Sequence, residues 1–359
     1  MGERRTLGLA RRDLIGLDVD LCSVKMIQLR RKNGQYVVVG AATSSVAPWG
    51  NDHDAQQAHT VDAVRECLDA LGSGSRLAVC GLQGPEVVVR GFEFPTLPPE
   101  EIDGAVELEA SQVCPFSTED VTLDHQIVSD CDKRIQGFWV AATRRLIESR
   151  RQVAREAGLQ CVLMDVDGLA LLNCLENSPG GAQQQTGHPE TDRLDGTRPA
   201  ILHMGDSYAT IAIVDHASRP FVRDVSSASH QIIRQVAHDL RMSDKAVLAA
   251  FFGDEPADPG LLQRSLEKAC EHLMDDVVTT LRYYAAQNRL ERVSGLLVCG
   301  RFALARGFIE LLSARLPFHV ALWNPVVRMP CEGNSQCEMV LQQVGPSMAI
   351  ASGMAMRTI

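Results

Sequence analysis

No apolar run in the chain approaches the roughly 20 residues a helix needs to cross a hydrocarbon core about 30 Å thick. Direct membrane insertion by a helix is therefore not expected. The first residues also lack a signal-peptide core, because Leu7-Gly8-Leu9-Ala10 runs straight into Arg11, Arg12 and Asp13. The expected location is the cytoplasm. There is no C-x-x-C pair among the 11 cysteines, which are odd in number and scattered. Several, such as Cys161, Cys174 and Cys299, sit in apolar runs and read as buried reduced thiols rather than a disulfide framework. Cys331 and Cys337 are close together in a polar stretch, but two further zinc ligands are missing nearby. His53 and His59 lie in the polar stretch GNDHDAQQAHT and read as solvated, so no metal is expected. There is no excess of positive charge either. The net charge of −10 speaks against nonspecific nucleic-acid binding. The one basic cluster, Arg4, Arg5, Arg11 and Arg12, reads as a solvated tail over residues 1–13. No Ser-His-Asp or Cys-His arrangement carries a local signature, so no catalytic residue is assigned.

What is present is ordinary globular composition, 45% apolar and 22% charged over 359 residues, enough for two cores. Residues 176–199, ENSPGGAQQQTGHPETDRLDGTRP, are nearly devoid of apolar side chains and read as a disordered linker between two halves. Each half opens alike. LIGLDVDLCSVKMIQLR (14–30) reads as a buried strand, a small turn at Cys22-Ser23 and a second strand. Asn33-Gly34 then turns into a third strand at Tyr36. AILHMGDSYATIAIV (200–214) repeats the order, with its small turn at Gly205 to Ser207. A turn over Asp215 to Arg219 leads to a third strand. Between the halves, Val87–Phe94, a helix over 98–113, Val121–Val128 and Gly137–Ala142 spell strand-helix-strand-strand. A charged helix over 144–157 closes at Gly158. Late in the chain, Leu266, Cys270, Leu273, Val277, Leu281 and Tyr284 form one stripe, which predicts a single helix over 263–290.

Two small-residue strand-turn-strand units facing each other can aim backbone N–H groups at phosphates. Their order here, with an insertion in the first half and a glycine turn after a long helix, resembles the actin-like ATPases. The stretches FEFPTLPPEEIDGAVELEASQVCPFSTEDVTLDHQIV, LLVCGRFALARGFIELLSARL and GPSMAIASGMAMR resemble, more narrowly, the PilM family of type IV pilus assembly proteins. The resemblance implies an α/β, two-lobed actin-like fold (a duplicated ribonuclease-H-like unit) with an FtsA-type inserted α+β subdomain. The expected parts are 14–86 and 161–175 for the first lobe, 87–160 for the insertion and 200–330 for the second lobe. A loop and C-terminal helix fill 331–359.

The resemblance also implies a nucleotide site, with ATP and Mg²⁺ contacted by Asp18, Cys22, Ser23 and Lys25 in the first loop. Gly205, Ser207 and Thr210 stand in the second, Gln231 opens the following helix, and Gly300 and Arg301 form the adenine-side turn. Four departures argue against an efficient pocket. Asp20 replaces a glycine, and His203 replaces the carboxylate that would hold Mg²⁺. Ala228-Ser229-His230 replaces Gly-Gly-Asn, and Arg301-Phe302 replaces two glycines and crowds the adenine turn. Asp206 is expected to point away, and Asp167 to cap a helix.

The function implied is a cytoplasmic scaffold, peripheral on the inner face of the inner membrane, that binds the cytoplasmic tail of a PilN-like protein and other inner-membrane components. The groove between the first lobe and the insertion would take the peptide, with Phe94, Pro95, Glu109, Pro115 and Phe116 as candidate contacts. The alternatives are an active actin-like ATPase or sugar-kinase relative, and a type II secretion scaffold.

Overall fold

The computed structural model describes residues 13–50, 52–131, 134–178, 198–214, 219–253, 258–287 and 293–358. The basic cluster Arg4 to Arg12, nearly all of the 176–199 linker and the turn at 215–218 lie outside the described residues.

The strand β1 (Ile15–Val19) is buried at all five positions. A strand covered on both faces belongs inside a sheet with helices on either side. It pairs antiparallel with β2 (Ser23–Lys32), which turns back through Asn33 and Gly34 into β3 (Gln35–Ser45). Both turn residues have positive φ, the geometry a two-residue hairpin requires. Helix α1 (His53–Leu71), capped by the Asp52 carboxylate, leads to β4 (Leu77–Leu82), parallel to β1.

The insertion follows. It consists of β5 (Val87–Pro95), α2 (Pro99–Val113), β6 (Val121–Cys131) and β7 (Arg134–Thr143), with sheet order β5-β7-β6. Its core joins Ile102, Val106 and Ala110 of α2 to Phe92, Ile135, Trp139 and Ala141 of the sheet. The next helix, α3 (Arg144–Glu156), was expected to end the insertion. Instead Val153 and Ala154 pack into the first lobe's core with Ile15, Leu17, Val64 and Leu68. The boundary of the insertion therefore falls at Thr143 rather than at 160. After α3, β8 (Gln160–Val166) completes the first sheet, β3-β2-β1-β4-β8, and α4 (Asp167–Asn177) crosses its other face.

The second lobe repeats the plan. Strands β9 (Arg198–Met204), β10 (Ala209–Val214) and β11 (Pro220–Val225) are followed by α5 (Ser229–Leu240) and α6 (Asp244–Phe252). The stripe read as one helix is two, α7 (Pro259–Ala269) and α8 (Glu271–Gln287), separated at Cys270. Asp258 caps α7 and Pro259 opens it, so it starts earlier than expected. All six stripe residues are buried in the second lobe's core. Then come β12 (Val293–Cys299), α9 (Phe308–Arg315) and β13 (His319–Leu322), giving the order β11-β10-β9-β12-β13.

The chain ends in α10 (Ser335–Val344) and α11 (Ala349–Ala355). Helices α4 and α11 share one core with both sheets, where Leu171, Ile350 and Met354 meet Ile27 and Val79 of one sheet and Ile201 and Leu297 of the other. Gly16 lets α11 approach, because a Cβ there would lie 1.8 Å from the Ala351 carbonyl oxygen. This shared core faces the opening turns of the two lobes toward each other.

Candidate functional site

Two loops meet where the lobes face each other, one between β1 and β2 (residues 20–22) and one between β9 and β10 (205–208). Each donates to a carboxylate of the other. The Asp20 carboxylate accepts the N–H of Asp206 at 2.5 Å and of Ser207 at 3.1 Å, besides that of its neighbour Leu21 at 2.7 Å. The Asp206 carboxylate accepts the Ser23 hydroxyl at 2.7 Å and the Cys22 N–H at 3.3 Å. Its other oxygen lies 3.4 Å from the Ser229 hydroxyl. Asp206 therefore points into the cleft, contrary to expectation. The turn at Gly205 rotates its side chain out of the register that strand alternation would give.

Beneath the loops Lys25 pairs with Asp18 at 3.2 Å, both buried. Burial works against the Lys25 charge, but Asp18, Asp20 and Asp206 outweigh it, so its pKa rises and it stays protonated. Burial also pushes Asp18 up, opposed by Lys25. For Asp20 burial is outweighed by Lys25 and the backbone donors, and its pKa falls. The Cys22 thiol is pushed up to about 12 by burial and by Asp206 and Asp20, so it is no nucleophile at neutral pH. His203 is 2% exposed, and neither ring nitrogen has a hydrogen-bond partner among the described residues. Burial and Lys25 bring its pKa down to about 3, which leaves it neutral.

The remaining implied nucleotide residues scatter around this centre. Thr210 donates its hydroxyl to Asp224 at 2.6 Å rather than facing the loops. Gln231 is exposed on the first turn of α5. Gly300 has φ +91, and Arg301 is exposed, lying over the Phe252 ring at 5.4 Å. Phe302 does not crowd the adenine turn. It is 2% exposed and stacks edge-on to Phe251 and Phe308 in the second lobe's core. Asp167 does not cap α4, whose cap position is Val166; it is buried with one carboxylate oxygen unpartnered among the described residues. Burial, with Asp18 and Asp224 nearby, raises its pKa well above the carboxylate range.

These residues do not fit the phosphates of a nucleotide. The N–H groups that would cradle them are taken by carboxylates. A polyanion would enter among Asp18, Asp20, Asp206 and Asp224 with Lys25 already paired. The histidine at position 203 offers no carboxylate to a divalent ion. Among the described residues no group of three or more His, Cys, Asp or Glu side chains is arranged to hold a metal ion.

A second feature lies between the first lobe and the insertion. It is a groove of about 850 Å³, walled by β6 and β7 on one side and by β8 and α4 on the other. Strands β6 and β8 are both edges of their sheets. An edge strand presents unpaired backbone donors and acceptors. Ile127 on β6 and Leu163 on β8 line the groove and are 41% and 37% exposed. The register of β6 slips between Ile127 and Ser129, a bulge of the kind that bends an edge strand. On the groove's wall Arg357 grips Asp165 through two hydrogen bonds, of 2.7 and 3.0 Å.

A family model described as type IV pilus assembly protein PilM matches residues 16–359. This chain belongs to the PilM family. A solved structure described as the PilM-PilN type IV pilus biogenesis complex is 21% identical and superposes with a TM-score of 0.75, covering 97% of this chain and 98% of that one. The ethanolamine utilization protein EutJ from Carboxydothermus hydrogenoformans is 13% identical with a TM-score of 0.55, over 95% of this chain and 88% of that one. A diol dehydratase-reactivating factor in nucleotide-free form is 9% identical with a TM-score of 0.54, over 96% of this chain and 99% of that one. The chain has the two-lobed actin-like fold, with the inserted subdomain. Among the described residues no helix is long and apolar enough to cross a membrane.

Within this PilM-family chain, none of the five expected peptide contacts lines the groove between lobe and insertion. Phe94 and Pro95 end β5, where Phe94 stacks on Phe92 at 4.7 Å. Glu109 lies on α2, and Pro115 and the half-buried Phe116 follow that helix. The wall residues Ile127 and Leu163 were missed because each reads simply as an apolar position in a strand. Only the sheet order shows that both strands are edges.

Proposed function

We propose that this chain is a scaffold of a type IV pilus inner-membrane complex that docks the cytoplasmic tail of a PilN-like membrane protein in the groove between its first lobe and its insertion. The observation that carries this reading is the meeting, in one groove, of two strands that each end their sheet, with exposed Ile127 and Leu163 on them. An extended peptide binds such an edge by backbone pairing, while alternate side chains enter apolar pockets. The family membership supports the pilus assignment, and the solved complex of a PilM with a PilN supports the partner. The protein then sits at the cytoplasmic face of the inner membrane through its partner. ATP turnover is not part of this role, since the cleft carries carboxylates where phosphates would lie.

The test is titration of a synthetic peptide, from the cytoplasmic tail of a PilN-like protein of the same organism, into wild type and variants. Wild type binds in the micromolar range or tighter. Ile127→Asp and Leu163→Asp each weaken binding at least about tenfold, the equivalent of about 1.4 kcal/mol, without lowering the melting temperature. Phe116→Asp leaves binding unchanged. Absence of wild-type binding contradicts the function, and full binding by both groove variants contradicts the site.

A further inference from the structure

We infer that Asp20 and Asp206 are built-in anions, each filling the backbone cradle of the opposite lobe, so that the two lobes are latched shut without a nucleotide. The inference goes beyond the scaffold role and does not depend on it.

The contacts are reciprocal. Asp20 belongs to the first lobe and takes two N–H groups of the second, from Asp206 and Ser207. Asp206 belongs to the second lobe and takes one N–H and one hydroxyl of the first, from Cys22 and Ser23. A hydrogen bond to an ionised carboxylate is roughly twice as strong as a neutral one. Asp20 keeps its charge despite burial because the buried Lys25 ammonium lies beneath it and the backbone N–H groups of Asp206 and Leu21 point at it. The space is filled as well as the donors. A Cβ on Gly205 would stand 2.9 Å from Asp20 Oδ2 and 2.6 Å from the Tyr208 carbonyl oxygen.

A second contact reinforces the latch nearby. The Gly84 N–H, just after β4, donates to Asp224 of β11 at 2.8 Å, and the Tyr208 ring covers Gly84 so closely that a Cβ there would lie 2.7 Å from it. Gly84 has φ +93, so its N–H reaches Asp224 through a backbone shape other residues rarely adopt. An anion arriving from solution therefore has to displace carboxylates already tethered in place. The closed arrangement that a phosphate chain would otherwise stabilise is supplied by the fold.

The experiment compares wild type, Asp20→Gly, Asp20→Asn and Asp206→Asn by thermal melting and by small-angle scattering. Each is measured alone, with ATP and Mg²⁺, and with inorganic phosphate. Wild type shows no rise in melting temperature with either ligand and no change in radius of gyration. All three variants melt lower and show a larger radius of gyration. Asp20→Gly, with its cradle emptied, regains at least about 3 °C with ATP-Mg²⁺ or phosphate, corresponding to about 1 kcal/mol for a unit of this size. If Asp20→Gly does not fold, the two Asn variants, which keep the side-chain volume, still report on the latch. A wild-type rise of several degrees with ATP-Mg²⁺ overturns the inference. So do Asn variants indistinguishable from wild type in melting and radius, and so does a folded Asp20→Gly that neither ligand stabilises.

Discussion

Arg357 and Asp165, 192 positions apart, meet in a two-pronged ion pair on the groove wall, with Nε to Oδ2 at 2.7 Å and Nη2 to Oδ1 at 3.0 Å. The Asp165 side chain is 6% exposed, so removing its partner strands a buried charge. Arg357→Ala is expected to cost about 1.5–3 kcal/mol, the usual size for hydrogen bonds to charged groups. Burial raises the Asp165 pKa and Arg357 lowers it, with a net rise. Without Arg357 the rise is larger. An acid whose folded pKa lies above its unfolded one stabilises the fold when protonated, and that contribution is lost as pH rises through the folded value. The variant's deficit is therefore smaller at pH 4 than at pH 7.5, which urea denaturation at the two pH values checks.

Lys25 is a buried cation beneath three carboxylates, and its loss leaves Asp18 buried without its ion-pair partner. Breaking a buried pair from one side costs about 3–5 kcal/mol. Lys25→Met should lose about that much, and Lys25→Met with Asp18→Leu should recover part of it. Because the folded pKa of Lys25 is raised, its contribution is fully present below the ordinary lysine value. Lys25 itself therefore adds no pH dependence to the deficit near neutrality, while the stranded Asp18, whose pKa rises further once Lys25 is gone, makes the Lys25→Met deficit smaller at pH 5 than at pH 8 in chemical denaturation.

His203 has the opposite sign. It is buried and neutral, with a pKa brought down to about 3 from an ordinary 6.5. Stability from a depressed group is present above the unfolded pKa and is lost as pH falls toward the folded one. Its ring nitrogens also lack partners among the described residues, and replacing an unpaired polar group by an apolar one of similar shape is neutral or stabilising. His203→Phe should match or exceed wild-type stability at pH 7.5, and exceed it by more at pH 5. Proton NMR of wild type should show one imidazole that does not titrate between pH 5 and pH 8.

The fold was readable where local chemistry decides it. Asn33-Gly34 names its hairpin, Pro98-Pro99 with Glu100 and Glu101 opens α2, and the apolar Ile15, Leu17 and Val19 mark β1 as a buried strand. The break at Cys270 was not readable, because the apolar stripe runs through it unaltered. Helix α3 offers only Val153 and Ala154 for burial, and two small residues do not reveal which sheet they cover.

The cleft shows the same divide. The sequence located both loops, and Asp20 and His203 stood out as misplaced residues. The meaning of Asp20 lies in donors 186 and 187 positions away, set by how the lobes face each other rather than by any local pattern. Arg301-Phe302 misled because a bulky residue after a glycine turn can point either way. Phe302 found a pocket between Phe251 and Phe308.

A partner's tail that pairs with a strand edge in the groove between the first lobe and the insertion protects the amides of that strand. Amide hydrogen exchange, with and without saturating tail peptide, tests it most directly. New protection is expected in Val121–Cys131 or Gln160–Val166, the two edge strands, with the cleft loops at 20–22 and 205–208 unchanged. Protection confined to Pro99–Val113 and the residues after it, or to the second lobe, would contradict it.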